Sequence, residues 1–168
     1  MKKLAFSLLA VVLLISACSK DDDNASAASS FVINGNTVVT PYGYLFDYNS
    51  DGKQVVLTDL SITDSTTKKL SAFSFDIDTL IDGASYTLLD RDSASFDRTK
   101  NFEDAFAIYK ADFVNGEVVD TTGTWLEEPK SGTVTIKKSG DNYTIGYSIQ
   151  FATTKVTGKY VGKLSIQD

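Results

Sequence analysis

TVTIKKSGDNYTIGYSIQFATTKVTGKYVGKLSI, residues 133–166, carries the clearest structural signal in the chain. Its apolar and polar residues alternate with a period of two, and short polar turns divide it into three runs. Because successive side chains of a β-strand point to opposite faces, this pattern predicts a three-stranded antiparallel meander with one buried face. Gly158 and Gly162 fall on the apolar face of the last run, where they can admit a neighbouring ring or mark a bend.

The same alternation extends, in shorter pieces, back to residue 31. Asn34-Gly35 and Asn115-Gly116 are strong hairpin-turn signals. About eight to ten short antiparallel strands on a single core predict an all-β fold. That fold is either an antiparallel β-sandwich or a partly closed β-barrel, and periodicity does not distinguish the two.

Residues 102–114 fit two structures. Four aromatic residues are spaced as on one face of a helix, namely Phe102, Phe106, Tyr109 and Phe113. Residues 105–113 also alternate as in a strand, and a hairpin signal follows at once. We therefore expect a strand, with the helix as the alternative.

The composition excludes several kinds of chemistry. The chain of 168 residues has no histidine and one cysteine, and its formal net charge is −6. Without histidine, neither Ser-His-Asp nor Cys-His catalysis nor an imidazole metal site is available. An acidic chain also repels the phosphate backbone of nucleic acids. We expect a protein that is not an enzyme and does not bind nucleic acid.

The first residues form a secretion signal. Lys2 and Lys3 precede an apolar run over residues 4–15, which is shorter than the roughly 20 residues that a membrane-spanning helix needs. The segment Ile15-Ser16-Ala17-Cys18 resembles the lipobox of bacterial lipoproteins. This resemblance implies cleavage before Cys18, diacylglycerol on its sulfur, and a further acyl group such as palmitate on the new amino terminus. Two or more acyl chains anchor a protein stably in a membrane.

An acidic run follows the cysteine. Residues 19–24, SKDDDN, resemble the signal that directs lipoproteins of Bacteroidota-type bacteria to the outer face of the outer membrane. The resemblance implies a lipid-anchored protein that faces the cell exterior, and a plain solvated linker is the alternative. The chain then divides into a removed signal peptide (1–17), a lipidated cysteine with a flexible tether (18–30), and a single β-domain (31–168).

The β-domain also resembles a group of small surface lipoproteins of Bacteroidota whose role is unassigned. The resemblance rests on Tyr42-Gly43-Tyr44 before an Asp/Asn/Gly turn. It rests further on GTVTI from residue 132, GDNYTI from residue 140 and GKYVGKL from residue 158. These hairpin motifs imply the fold but do not imply any activity.

Residues 47–52, DYNSDG, match the opening of a calcium-binding loop. In such loops, carboxylate and amide oxygens at alternate positions converge on one ion, which here predicts Asp47, Asn49 and Asp51 as ligands. The twelfth position, where a bidentate Glu is expected, holds Thr58. A hairpin loop made of good turn formers explains the same residues without an ion. No other cofactor is predicted.

Aromatic residues are the candidate ligand contacts. Alternate positions of one strand hold Tyr42, Tyr44, Phe46 and Tyr48, and Trp125 lies in a separate stretch between strands. Because exposed tyrosine and tryptophan rings can stack on sugar rings, Tyr42, Tyr44 and Trp125 are the predicted glycan-binding residues. Packing of these rings in the core is the alternative.

Asp76 and Asp78 lie two residues apart on one predicted strand face. Paired carboxylates at such distances can hydrolyse glycosides. A simpler interpretation makes them the solvent-facing alternates of Phe75 and Ile77 in an acidic chain. We predict no catalytic residue.

These features together predict a membrane-anchored, cell-surface lipoprotein with a non-catalytic binding domain, whose ligand would be a glycan. A structural or envelope-assembly role through a protein partner is the first alternative, and an uncovered edge strand would favour it. A barrel that holds a small apolar ligand is the second. A closed cavity lined by Phe73, Phe75, Tyr147 and Phe151 would support that barrel, whereas a solid core would argue against it.

Overall fold

The computed structural model describes residues 29–49, 52–64 and 66–167. The predicted signal peptide, the lipidation site Cys18 and most of the tether lie outside these residues, as does the predicted calcium ligand Asp51. Within the described ranges, no helix is long and apolar enough to cross a membrane.

Thirteen β-strands make up the fold in the part of the chain that the structure describes. In chain order they are β1 (Ser30–Ile33), β2 (Asn36–Val39), β3 (Tyr42–Asp47), β4 (Lys53–Thr58), β5 (Lys68–Ile77), β6 (Ser85–Leu88), β7 (Asn101–Val114), β8 (Glu117–Val119), β9 (Thr124–Leu126), β10 (Ser131–Ser139), β11 (Asn142–Gln150), β12 (Lys155–Gly162) and β13 (Ser165–Gln167). The count exceeds the prediction partly because the last predicted strand divides into β12 and β13. It also includes β9, which contains Trp125 and lies in a stretch that was predicted to lie between strands.

All the strands belong to one sheet, in the spatial order β13-β3-β4-β5-β7-β6-β10-β11-β12-β1-β2. Strands β8 and β9 pair with β7 beside this path. Neighbouring strands are antiparallel except in the pairs β13·β3 and β6·β7, which are parallel. Over the described residues the sheet stays open, with β13 and β2 at its edges. The predicted all-β class is therefore confirmed in its sandwich-like form.

The core lies between the two halves of the sheet, which pack face to face. Phe73 of β5 and Tyr147 of β11 come from opposite halves, and their rings stack with centroids 3.9 Å apart and an interplanar angle of 2°. Phe75 and Phe151 are buried in the same cluster. These four side chains occupy the space in which an internal apolar ligand was considered, so the packing argues against that alternative.

Tyrosine rings fill the space beside several glycines of the core. A Cβ at Gly158 would lie 2.5 Å from Cζ of Tyr147, because that ring crosses the glycine from the neighbouring strand. A Cβ at Gly162 would lie 2.8 Å from the Tyr160 hydroxyl, and a Cβ at Gly43 would lie 2.5 Å from Cζ of the same tyrosine. The prediction that Gly158 and Gly162 admit a neighbouring ring is confirmed. Aromatic residues commonly cover glycines in curved sheets in this way.

Residues 102–114, for which helix and strand were both considered, belong to strand β7. Two register shifts interrupt the pairing of this strand with β5. At one of them, opposite Ser71, Lys110 has a positive φ of 56°, as a β-bulge allows. Each bulge changes which residues of β7 face the core. The four aromatic residues therefore do not share one face, since Phe102 lies in the main core and Phe106 packs against a second apolar cluster.

Candidate functional site

The predicted ligand-binding residues lie on the outer face of β3, β4, β5 and β7, away from the core. Directly paired residues of neighbouring strands point to the same face of a sheet. One such row crosses five strands and comprises Tyr42, Thr58, Ala72, Ile108 and Trp125. Tyr42 and Trp125 therefore share this face, but four strand spacings, roughly 19 Å, separate them.

A groove of about 370 Å³ lies on this outer face, and we call it the outer groove. The side chains of Ile62, from the loop after β4, and Val118, from β8, form its sides. None of the described residues that line it is charged. Its apolar lining comes mainly from Phe46, Val56, Leu70, Phe106, Ile108 and Phe113.

The polar side chains in the lining of the outer groove, Gln54 and Thr58, already have partners. Gln54 Nε2 donates a hydrogen bond to Asp76 Oδ1 at 2.9 Å, and Thr58 Oγ1 donates to the Leu60 carbonyl oxygen at 2.5 Å. Burial raises the pKa of Asp76, an effect that the bond from Gln54 opposes and that nearby carboxylates reinforce. The groove is therefore an apolar surface with its polar groups satisfied.

A second apolar cluster, separate from the main core, underlies the outer groove. Its buried members are Ala72, Ile108 and Ala111, and the half-buried side chains of Phe106, Val118 and Trp125 pack against them. Sequence reasoning missed this cluster, because it assigned one apolar face to each strand. The run Val55-Val56-Leu57 in β4 contains the signal that could have found it, since consecutive apolar residues indicate a strand covered on both faces.

Tyr44 lies beside the groove on the same sheet face, beneath the loop that contains Ile62. It is only 6% exposed. Its hydroxyl accepts a hydrogen bond from the backbone N–H of Ile62 at 3.2 Å and donates one to Ser61 Oγ at 3.4 Å. A covered ring has no face on which a sugar can stack, so this burial favours the alternative in which Tyr44 is packed inside the domain.

Trp125 is half-buried and rigidly held. Its indole N–H donates to the Thr122 carbonyl oxygen at 2.8 Å, and the Thr122 hydroxyl accepts the backbone N–H of Asp112 at 2.6 Å. At Gly123, where φ is 74°, a Cβ would lie 2.5 Å from the Ala111 nitrogen. The segment therefore packs directly on β7 and presents part of the indole at the surface.

The other rings of the predicted tyrosine row differ in exposure. Tyr42 is 42% exposed and Tyr48 is 51% exposed, whereas Phe46 is half-buried in the lining of the outer groove. The rings of Phe46 and Tyr48 are nearly parallel, with centroids 6.5 Å apart and an interplanar angle of 12°. Tyr42 and Tyr48 are thus available to solvent just outside the groove.

The predicted calcium loop contains a hydrogen-bonded turn. Asp47 Oδ1 accepts the backbone N–H of Asn49 at 3.0 Å, and Oδ2 forms an ion pair with Lys53. Lys53 and the bond from Asn49 hold the pKa of Asp47 below its ordinary value. Asp51 lies outside the described residues, and among those described no three acidic or sulfur-bearing side chains converge as a metal site requires. The calcium site stays a prediction.

Asp76 and Asp78, the two carboxylates weighed as a catalytic pair, have different partners. The Asp78 side chain is 5% exposed and accepts a hydrogen bond from Arg91 Nη2 at 3.0 Å. Arg91 also forms a two-point ion pair with Glu103, and it borders an open cleft of about 540 Å³ that Asp76 lines as well. The sequence alone did not indicate that Arg91, in the loop after β6, forms ion pairs with Asp78 at the end of β5 and with Glu103 at the start of β7.

Comparison of the chain with protein-family models, with curated proteins and with solved structures finds no match. The fold and the outer groove define the protein as an open, sandwich-like all-β domain with one apolar groove on an outer sheet face.

Proposed function

We propose that this chain is a lipoprotein anchored in the outer membrane, facing the cell exterior, whose β-domain binds a ligand without catalysis. The observation that carries the proposal is the outer groove, an uncharged apolar surface on a chain whose net charge is −6. Contiguous apolar surface on a soluble domain commonly marks a binding site. The absence of histidine from the sequence supports a role without catalysis.

The outer face of the half that contains β6, β10, β11 and β12 carries more polar side chains than the outer groove does. One row across four strands of that half holds small hydroxyl side chains, namely Thr87, Thr133, Ser148 and Thr157. Hydroxyl groups at an exposed surface bind water and need no partner. The contrast between this row and the apolar groove supports a ligand site on the first half.

The lipid anchor is proposed from Cys18 and the acidic run after it. The start of the described domain is compatible with this anchor. The described domain begins at Ser29, directly before β1 and 11 residues after Cys18. The Ser29 carbonyl oxygen accepts the backbone N–H of Thr40 at 2.8 Å, which fixes the first described residue on the domain.

The anchor is tested by the substitution Cys18→Ser in cells fed an alkyne analogue of palmitate. The wild-type chain should take up the label, stay in the membrane fraction and be cleaved by protease added to intact cells. The Cys18→Ser chain should lack the label and leave the membrane, while Ser19→Ala, beside it, should behave as wild type. A Cys18→Ser chain that stays membrane-bound would contradict the proposed anchor.

Binding is tested with the mature chain from residue 18, made soluble by Cys18→Ser. A glycan array and a lipid panel are screened with calcium and with chelator. Saturable binding that Val118→Glu abolishes would place the ligand in the outer groove, whereas binding unchanged by this variant would contradict that location. Loss of binding on chelation would assign Asp47, Asn49 and Asp51 as calcium ligands.

Glycan recognition outside the groove is the second candidate function. It is favoured by the 42% exposure of Tyr42 and by the half-buried Trp125 on the same sheet face. If a glycan stacks on these rings, Tyr42→Ala and Trp125→Ala should each remove the array signal while Val118→Glu retains it.

A protein partner in the envelope is favoured by one further observation. Ile166 lies in the edge strand β13 and is 70% exposed, which leaves that edge open to pairing with a strand of another protein. Crosslinking from position 166 in intact cells, with Val161 on the sheet face as the control position, tests this alternative.

A further inference from the structure

We infer that the outer groove binds an uncharged lipid with a single aliphatic chain, such as a monoacylglycerol. This inference rests on the proposed function, because it takes the outer groove as the ligand site. It is carried by the hydrogen-bonding state of the groove, by its shape and by the charges around it.

The hydrogen-bonding state of the groove excludes polar occupants. The backbone groups of its floor are used between strands, since Val56 pairs with Tyr44 on one side and with Ser74 on the other. One N–H of the Gln54 amide and the Thr58 hydroxyl already donate hydrogen bonds to other protein groups. Hydroxyls of a sugar or amides of a peptide would lose their water partners here without replacement, which opposes their binding. A hydrocarbon chain has no hydrogen-bonding groups, so it loses no water partners when it enters the groove.

The shape of the groove suits one extended chain. Its lining runs from Gln54, which pairs with Asp76, to Phe113, which pairs with Lys68. Residues 68–76 of β5 span roughly 26 Å at the usual rise of a strand. A volume of about 370 Å³ spread over such a length makes a narrow trough, wide enough for one hydrocarbon chain.

The charges around the groove select against an anionic headgroup. No described lining residue is charged, so a fatty-acid carboxylate would find no counter-ion inside. At one end, the Gln54 side chain is bonded to Asp76, and Asp104 pairs with Asp76 on the next strand. Negative charge at this end repels a carboxylate but leaves a hydroxyl or ester headgroup unaffected. At the other end, Lys68 pairs with Phe113 across the strands, but its ammonium group already forms an ion pair with Asp64. The lipid that fits is therefore uncharged.

The source of such a lipid is the membrane to which the chain is proposed to be tethered. The proposed anchor Cys18 and the first described residue Ser29 are 11 residues apart, so the anchored domain would stay close to the bilayer surface. A lipid with one chain leaves a bilayer far more readily than one with two, because each buried CH₂ adds to the cost of leaving.

The chain supplies its own reporter of occupancy. Trp125 is its single tryptophan, and it packs in the same cluster as Phe106, Ile108 and Val118, all of which line the groove. Hydrocarbon placed against these side chains should move the tryptophan emission to shorter wavelength.

The test is a fluorescence titration of the mature chain from residue 18 carrying Cys18→Ser, which also removes the protein's own acyl groups as occupants. The probes are 1-monomyristoylglycerol and myristate, both below their micelle concentrations. Monomyristoylglycerol should give a saturable blue shift at one molecule per chain, and myristate at pH 8 should bind at least about tenfold more weakly. Equal binding of the two, or no saturable response to monomyristoylglycerol, would overturn the inference.

Matched variants locate the binding site. Ile62→Glu places a charge at the side of the groove and should weaken binding of monomyristoylglycerol at least about tenfold. Ile81→Glu makes the same change at a loop isoleucine that is 42% exposed and outside the groove, and it should bind as the parent does. If Ile62→Glu lowers the melting temperature strongly, Val118→Glu on the opposite side replaces it. If whichever of Ile62→Glu and Val118→Glu stays folded binds monomyristoylglycerol as tightly as the parent does, the inference is overturned.

A parallel glycan array separates this inference from the proposed function. Groove-dependent binding of another ligand, without a response to monomyristoylglycerol, would overturn the lipid inference and leave the proposed binding function standing. Absence of binding in both experiments would overturn both.

Discussion

The hydroxyl of Tyr44 accepts the backbone N–H of Ile62 at 3.2 Å, so a buried tyrosine of β3 holds the loop that forms one side of the outer groove. This contact links a residue with no solvent-facing ring to the shape of the proposed binding site. It makes Tyr44 a positioning residue, whose loss should alter the loop and the groove together.

Tyr44→Phe should lower the free energy of unfolding by about 1 kcal/mol, because it removes a buried hydrogen-bond acceptor. Backbone amides of residues 60–63 should exchange with deuterium faster, whereas the core strand β11 should not change. Tyr42→Phe, at a ring that is 42% exposed, is the matched control and should leave both measurements unaltered. Unchanged exchange at Ile62 in Tyr44→Phe would show that the hydroxyl does not hold the loop.

Gly158→Ala should destabilise the fold by about 1–3 kcal/mol, since its Cβ would meet the Tyr147 ring. The predicted separation from Cζ is 2.5 Å, and the ring cannot retreat because it stacks on Phe73. Urea denaturation measures the loss. Gly146→Ala is the control, because its Cβ would meet only the Thr135 hydroxyl, at 2.9 Å. An equal or larger loss in the control would contradict this account of the core.

Asp76→Asn should raise the melting temperature at pH 7. Burial holds the pKa of Asp76 above its ordinary value, so the folded chain binds this proton more tightly than the unfolded chain does. The stability that protonated Asp76 contributes is therefore fully present when the pH lies below the pKa of Asp76 in the unfolded chain. It is lost as the pH rises through the higher pKa of Asp76 in the folded chain. The gain from Asp76→Asn should be present at pH 7 and absent at pH 3. Asp120→Asn, at an exposed turn, should show no gain at either pH.

Arg91→Lys should lower the free energy of unfolding by about 1–2 kcal/mol, because lysine cannot keep a two-point contact with Glu103 while it reaches Asp78. The Asp78 side chain is 5% exposed and would lose its nearest cationic partner. Arg98→Lys is the control, since Arg98 is 63% exposed and lies 3.7 Å from the same carboxylate. If chemical denaturation shows Arg91→Lys and Arg98→Lys to be equally stable, the contacts of Arg91 with Glu103 and Asp78 do not stabilise the fold as proposed.

The sequence predicts the hairpins and the pairing of β10, β11 and β12 well, because their alternation is uninterrupted and their turns contain Asn-Gly or Gly-Asp-Asn. It is wrong about the end of the meander, because residues 165–167 leave the last strand and pair in parallel with β3, where Ile166 is 70% exposed. It leaves β7 ambiguous, because a bulge such as that at Lys110 breaks the period of two on which the prediction depends. The site is harder to predict. Tyr42 and Tyr44 look equivalent in the sequence, but only Tyr44 is covered by the distant loop around Ile62.

The most direct test of the binding site is methyl NMR of the mature Cys18→Ser chain, titrated with the ligand selected in the screens. The account predicts chemical-shift changes confined to the groove methyls of Val56, Ile62, Ile108 and Val118. Shifts that appear instead at the threonine methyls of the opposite half, such as Thr133 and Thr157, would contradict it.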